Sequence, residues 1–362
     1  MMQNFHVSWR GFQWKSEEGV TTRHSLWKFL SIVIYLITWV ANGELLQGIT
    51  NGSVGIRVYD KPAAVTWFSY NFMILSSILV ALHAHNQKLN WSRVVQKWAG
   101  NFGVRRAISV CAATSYLLLL LNILMIVGLR CVSVSLSNAI YQLQTPFTIA
   151  LSVFMLGDSF VESEAIGILL SFTGVCLIVI PPLWEEGGQF CWRGILATAA
   201  SAAIGGVYLI SWRVLERKNE SPLNRWESFI DMQMTLAAIG FCNLLVGWPI
   251  LPILDGLKFE MMELPQDWGI LCINGLVEYA FDASCAIAIF ATSPVMVAIV
   301  APLTIPLSMF MDQLLYGGSE VKEWSIWSGI VLILLGTLMM ELKPIIFKRK
   351  VKEKDEKEPF IL

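Results

Sequence analysis

Glu278 and Asp282 lie four residues apart inside an apolar run, so one face of a helix there carries two carboxylates. Gly275 and Cys285 share that face. A charge at the depth of a bilayer costs at least about 2.5–3.5 kcal/mol on insertion scales, so such acids face a bundle interior or a wet cavity. Two acids this close, partly out of water, do not both ionise readily. That chemistry suits a proton relay or a site for an organic cation; the plainer reading is that both acids only line a water-filled vestibule. Glu44 is a third acid in an apolar run, with Gln47 three residues on, and reads either as a gate or as an acid at the interface. No Lys or Arg lies mid-run anywhere, so the interior is acidic without a built-in cation.

A second polar stripe, Asn138, Tyr141, Gln142 and Thr145, recurs at helical spacing in another run. Each amide in lipid needs a partner. The stripe therefore reads as one wall of a substrate cavity, or alternatively as a seam of interhelical hydrogen bonds. Asn71, Asn122, Asn243 and Asn274 stand singly and read as packing contacts. None of the four histidines lies mid-run, and no Cys/His spacing suggests a metal. Phosphate-binding loops, kinase motifs and nucleophile elbows are absent from the sequence. The reading is of a protein that is not an enzyme, with no cofactor and no metal. The net charge of -1 implies no nucleic-acid partner.

The elements that must position these residues follow from hydropathy. Of 362 residues 55% are hydrophobic and 15% charged, with a mean hydropathy of +0.59; soluble domains carry about 25% charged residues. Ten apolar runs approach the ~20 residues that span a bilayer: 26–49, 64–84, 107–129, 132–156, 165–183, 193–212, 229–251, 268–290, 294–316 and 324–342. The first run is too long for a cleaved signal segment and reads as a retained helix. Residues 146–155 and 302–311 match at seven of ten positions, and Gly167-Ile168-Leu169-Leu170 with Gly174 is echoed by Gly329-Ile330-Val331-Leu332 with Gly336. The chain is thus a duplication, pairing run four with nine and five with ten. Five spans per copy is odd, so the copies enter the membrane from opposite sides. The expected fold is an all-α integral membrane protein: ten transmembrane helices in two inverted five-helix repeats, 26–183 and 193–342. A tail (1–25), a linker (184–192) and a charged tail (343–362) complete the chain.

Pro146 and Pro302 occupy the same repeat position and Pro306 adds a third; proline removes a backbone hydrogen bond and kinks a helix, as paired gates would need. Gly167, Gly174, Gly329 and Gly336 read as faces for close helix packing. Of 26 Lys and Arg, 20 fall on the side holding both tails and 6 on the other, which puts both termini in the cytosol. The far side carries the sequon Asn51-Gly52-Ser53, close to the bilayer, and Cys131 and Cys191, for which a disulfide is one option.

Several stretches carry a family resemblance: Trp39-Val40-Ala41-Asn42-Gly43-Glu44-Leu45, Tyr59-Asp60-Lys61-Pro62, Ile273-Asn274-Gly275-Leu276, and Leu303-Thr304-Ile305-Pro306-Leu307-Ser308 with Asp312. Over about residues 26–342 the chain resembles the drug/metabolite transporter superfamily, EamA-like, and within it solute carrier family 35, subfamily F, in its thiamine-transporter-like branch. That family places its acid one position beyond Asp282, where this chain has Ala283, and a small residue where Glu278 stands. The resemblance implies helices 1–4 and 6–9 around a central cavity and transport by alternating access. It implies an endomembrane (Golgi, endosome or vacuole/lysosome) ahead of the plasma membrane. With the acidic interior, it points to a small-molecule substrate that is cationic or neutral, thiamine- or nucleoside-like, carried by secondary-active transport with protons as a candidate coupling ion. A nucleotide-sugar-type antiporter and a non-transporting scaffold or receptor are the alternatives, and a homodimer is left open. The bilayer is the other expected partner.

Overall fold

The computed structural model describes residues 22–52, 58–156, 162–185, 191–216, 225–292, 294–316 and 324–341. The N-terminal tail to residue 21, Ser53 of the sequon, linker residues 186–190 and the charged C-terminal tail lie outside the described residues. Within them the chain is all helix and turn, with no strand. The helices are α1 (Thr22–Asn51), α2 (Pro62–Tyr70), α3 (Ser76–Asn86), α4 (Trp91–Ala99), α5 (Val104–Leu129), α6 (Val134–Tyr141), α7 (Gln144–Leu156) and α8 (Glu162–Glu185). After these come α9 (Trp192–Glu216), α10 (Arg225–Cys242), α11 (Ile250–Gly256), α12 (Trp268–Ala291), α13 (Pro294–Val300), α14 (Thr304–Tyr316) and α15 (Trp324–Glu341).

Among the described residues, eight helical segments are long and apolar enough to cross a membrane. Two of the ten apolar runs fall outside that set for identifiable reasons. Run 132–156 is broken at Gln142–Leu143 into helices of 8 and 13 residues. The run after Trp324 is a shorter apolar helix, Trp324–Met340. Large apolar side chains point outward along these segments, among them Phe154 at 88% and Leu169 at 67% exposed. Patches of that size on a soluble monomer mark a contact surface, and on helices of spanning length the contact is lipid.

Proline chemistry explains the break before α7. Pro146 has no N–H for the Gln142 carbonyl, four residues back. The Thr145 N–H takes that carbonyl instead, at 3.3 Å, and the Leu143 N–H reaches Ile140 O at 3.0 Å, both in tight i→i+3 geometry. In the second copy a single 3₁₀ turn, Ala301–Leu303, contains Pro302 and separates α13 from α14. Two further irregularities meet each other. Asn71 opens a 3₁₀ stretch between α2 and α3, and Asn243 opens a π-helical stretch after α10. Asn243 Nδ2 donates to Asn71 Oδ1 at 2.7 Å and to the Trp67 carbonyl at 2.8 Å.

Three contacts organise the bundle. In the first, α8 packs along α15 with backbone touching backbone. A Cβ on Gly174 would stand 2.6 Å from Gly329 O, and one on Gly167 2.7 Å from Gly336 O. The second joins α5 to α9, and a disulfide between Cys131 and Cys191 ties the end of α5 to the start of α9. The third lays α1 against α12. At the disulfide's end of the bundle, Arg130 pairs with Asp60 at 2.7 Å and Lys61 with Glu263 at 3.3 Å. Glu260 there accepts the first N–H groups of α2, from Ala63 and Ala64, at 2.9 and 3.0 Å. Burial, with Glu260 and Glu263 adding negative charge nearby, pushes the Tyr59 phenol up from its ordinary value.

Candidate functional site

α1 brings Tyr35, Thr38, Trp39 and Asn42 to one face, spaced i, i+3, i+4, i+7, and that face meets α12. Asn42 Nδ2 donates to Glu278 Oε2 at 2.8 Å, and Thr38 and Ser284 share a hydroxyl–hydroxyl bond of 2.7 Å one to two turns along. Glu278 is 4% exposed. Tyr70 of α2 lies within hydrogen-bond reach of Glu278, and Tyr208 of α9 faces Asp282. Asp282 stands beside Glu278, and its Oδ2 is buried with no donor among the described residues. Both acids thus point into the bundle.

Aromatic rings enclose the same place. Tyr35 stacks on Phe281 with centroids 6.0 Å apart; Trp39 meets Phe281 edge-on at 5.4 Å and Tyr141 of α6 at 6.3 Å. Trp39 Nε1 donates to Asn138 Oδ1 at 3.2 Å, and Asn138 Nδ2 donates to Ser308 Oγ of α14 at 3.2 Å. Asn138 therefore bridges α1, α6 and α14. Carboxylates and aromatic faces thus lie together, with no Lys or Arg mid-run in any spanning run; groups of these kinds can attract a cation or stack on a flat ring.

The structure assembles Glu278, Asp282, Asn138 and Tyr141 at one place. Gln142 is buried at the break before α7, with Nε2 lacking an acceptor among the described residues. Glu44 leaves α1 on a different side from Asn42 and lies against Asp312 of α14, apart from the Glu278–Asp282 pair. Gln47 donates to the Val132 carbonyl at 3.4 Å. Pro146 and Pro302 sit at the two helix interruptions, Pro306 lies inside α14, and the four glycines form the α8–α15 seam. Of the single amides, Asn274 donates to Ser69 Oγ at 2.6 Å and Asn122 to its own helix at Leu118 O, 3.2 Å. Sequence reasoning did not single out Tyr35, Trp39, Tyr70, Tyr208 and Phe281 as site residues. The i, i+3, i+4, i+7 stripe on α1 was a readable signal for the first two; nothing local marks the rest.

No protein-family model matches the chain. The curated relatives are informative. The thiamine-repressible mitochondrial transport protein THI74 of Saccharomyces cerevisiae is 29% identical over 170 residues, 46% of this chain and 45% of that protein. An uncharacterized vacuolar membrane protein of the same yeast is 28% identical over 178 residues, 46% of this chain and 44% of its own length. Solute carrier family 35 member F5 of Mus musculus is 27% identical over 194 residues, 51% of this chain and 34% of that protein. The chain's relatives are transporters of the solute carrier 35 type. That comparison bears out the resemblance read from the residues, and those relatives are named for transport, not for an enzymatic reaction. The chain spans less than half the length of these curated relatives.

Proposed function

We propose that this chain is a secondary-active transmembrane transporter of a small organic solute, cationic or neutral and thiamine- or nucleoside-like in shape. The single observation that carries the reading is the buried Glu278–Asp282 pair on α12, held by Asn42 and ringed by Tyr35, Trp39, Tyr141 and Phe281. A cationic ring would be met by carboxylate on one side and aromatic faces on the other. The yeast relative THI74 is named as a thiamine-repressible transport protein, which supports transport itself.

Alternating access by two inverted five-helix repeats, 26–183 and 193–342, is the mechanism this reading entails. It rests on the sequence duplication and on helix interruptions beside Pro146 and Pro302 in both copies. The Lys and Arg count supports both termini in the cytosol. The Cys131–Cys191 disulfide, on the opposite side by that count, suits an oxidising non-cytosolic face, and the endomembrane placement follows the family resemblance. Protons are the proposed coupling ion.

Uptake of radiolabelled thiamine and of a neutral nucleoside into proteoliposomes holding the full chain tests the proposal. Saturable uptake of either above that of empty vesicles, at an imposed pH gradient, is the expected result. Uptake of both at the level of empty vesicles, in both gradient directions, overturns it.

A further inference from the structure

A second pair of carboxyls is buried where α1 meets α14. Glu44 is 8% exposed, and neither carboxyl oxygen meets a donor among the described residues. Its side chain lies within hydrogen-bond reach of Asp312. Asp312 accepts the Ser135 N–H on Oδ2 at 3.1 Å, with the Ser135 hydroxyl alongside, and its Oδ1 is buried without a donor among the described residues. Three neighbouring elements, and α1 itself, bring other polar or titratable groups. From α12, Glu278 and Asp282 stand deeper, beyond Asn42; from α6 come Ser135 and Tyr141. The end of α5 carries Arg130, whose guanidinium is taken by Asp60. α1 itself adds Tyr35, stacked in the aromatic ring, and Gln47, whose N–H goes to Val132 O and whose Oε1 has no donor among the described residues. Among the described residues, Asp312 is the charged group set against Glu44.

Two carboxylates in contact, out of water and without a cation, repel. One proton between them turns the repulsion into a short charge-assisted O–H···O⁻ bond that supplies the donor both groups lack. We infer that Glu44 and Asp312 hold a single proton between them, a binding site for H⁺ that fastens α1 to α14. The two helices belong to opposite halves of the sequence, so loss of that proton loosens the contact between the halves at this point. α1 carries Asn42, the donor to Glu278, only two residues away, so its displacement reaches the solute site. The inference goes beyond the proposed transport activity: it assigns a separate ion site and a contact that the ion closes.

Infrared difference spectroscopy on the full chain in detergent, stepped from acid to alkaline pH, reads the proton directly, because a protonated carboxyl has its own carbonyl stretch. Wild type is expected to lose one such band that Glu278→Gln retains. Glu44→Gln and Asp312→Asn are each expected to abolish it entirely, and the double variant to remove no more than either alone. These amides are isosteric and keep a neutral hydrogen bond across the pair, and a cooperative melt for each confirms folding. A band unchanged in either single variant overturns the inference, as does a double variant that removes twice as much, which means two independent protons. A band that responds to sodium at fixed pH also overturns it. The measurement needs no solute, so its failure leaves the reading of Glu278 and Asp282 standing, and failure of uptake leaves this pair standing.

Discussion

Replacing Glu278 by Gln isolates charge from shape at the proposed solute site. The amide keeps an oxygen where Oε2 now accepts Asn42 Nδ2 at 2.8 Å, so the α1–α12 contact survives. What disappears is the attraction to a cation in the ring of Tyr35, Trp39, Tyr141 and Phe281. Two unit charges 4 Å apart attract by about 4 kcal/mol at an effective dielectric constant of about 20, which bounds the effect from above. The change from a charged to a neutral hydrogen bond, about 1.5–3 against about 1 kcal/mol, bounds it from below. Affinity for thiamine is therefore expected to fall about 10-fold, the equivalent of roughly 1.4 kcal/mol and inside the roughly 0.5–2 kcal/mol of that difference, and by at most about 1,000-fold. Affinity for a neutral nucleoside should change less than about 3-fold, because cation–π and charge contributions are absent from it. Ligand-dependent thermal shifts of purified protein measure both, since a ligand that binds the folded state raises the midpoint with concentration. Asp282→Asn serves as the second arm. Thiamine affinity equal to wild type in both variants refutes the reasoning, and so does an equal loss for the neutral compound.

Other parts of the bundle yield further expectations. Asn42→Leu removes the donor to a carboxyl that is 4% exposed and should destabilise the fold by about 1–3 kcal/mol; Glu278→Leu in the same background should recover part of that loss, measured by thermal unfolding in detergent. Gly174→Leu must push α8 from α15, because even its Cβ would stand 2.6 Å from a backbone oxygen, Gly329 O, that cannot swing away. The expected cost is about 1–3 kcal/mol or more, read as a lowered melting midpoint, whereas Leu169→Ala on the outer face of α8 should leave the midpoint nearly unchanged. Dithiothreitol should lower the midpoint of wild type and not of Cys131→Ser. The closed loop of 60 residues sets an upper limit of about 4 kcal/mol, reduced in practice because membrane helices hold the unfolded chain together.

Much of this architecture is local in origin and so was open to sequence reasoning. A spanning helix satisfies its own backbone, so length and hydropathy report it directly; that is why apolar runs such as 268–290 and 193–212 reappear as α12 and α9 nearly residue for residue. Proline acts on a carbonyl four residues back, and the interruption before Pro146 follows from that short-range rule. Periodicity likewise put Glu278 and Asp282 on one face. The limits are equally physical. A run of 25 apolar residues, 132–156, did not disclose that its helix stops at Gln142, because hydropathy is blind to which carbonyls find donors.

Partnership across the bundle was decided only by the tertiary fold. Nothing in the order of residues says that Asn42 would spend its amide on Glu278, 236 positions away, or that Glu44 would turn to Asp312 instead of joining the nearer-sounding acids of α12. The same holds for the ring of Tyr35, Trp39, Tyr141 and Phe281, drawn from three helices. Which buried polar group meets which depends on helix rotation and depth, and those are set by packing contacts such as the glycine seam of α8 and α15. The chain alone determined that acids would be buried in lipid; the packing determined what each one faces.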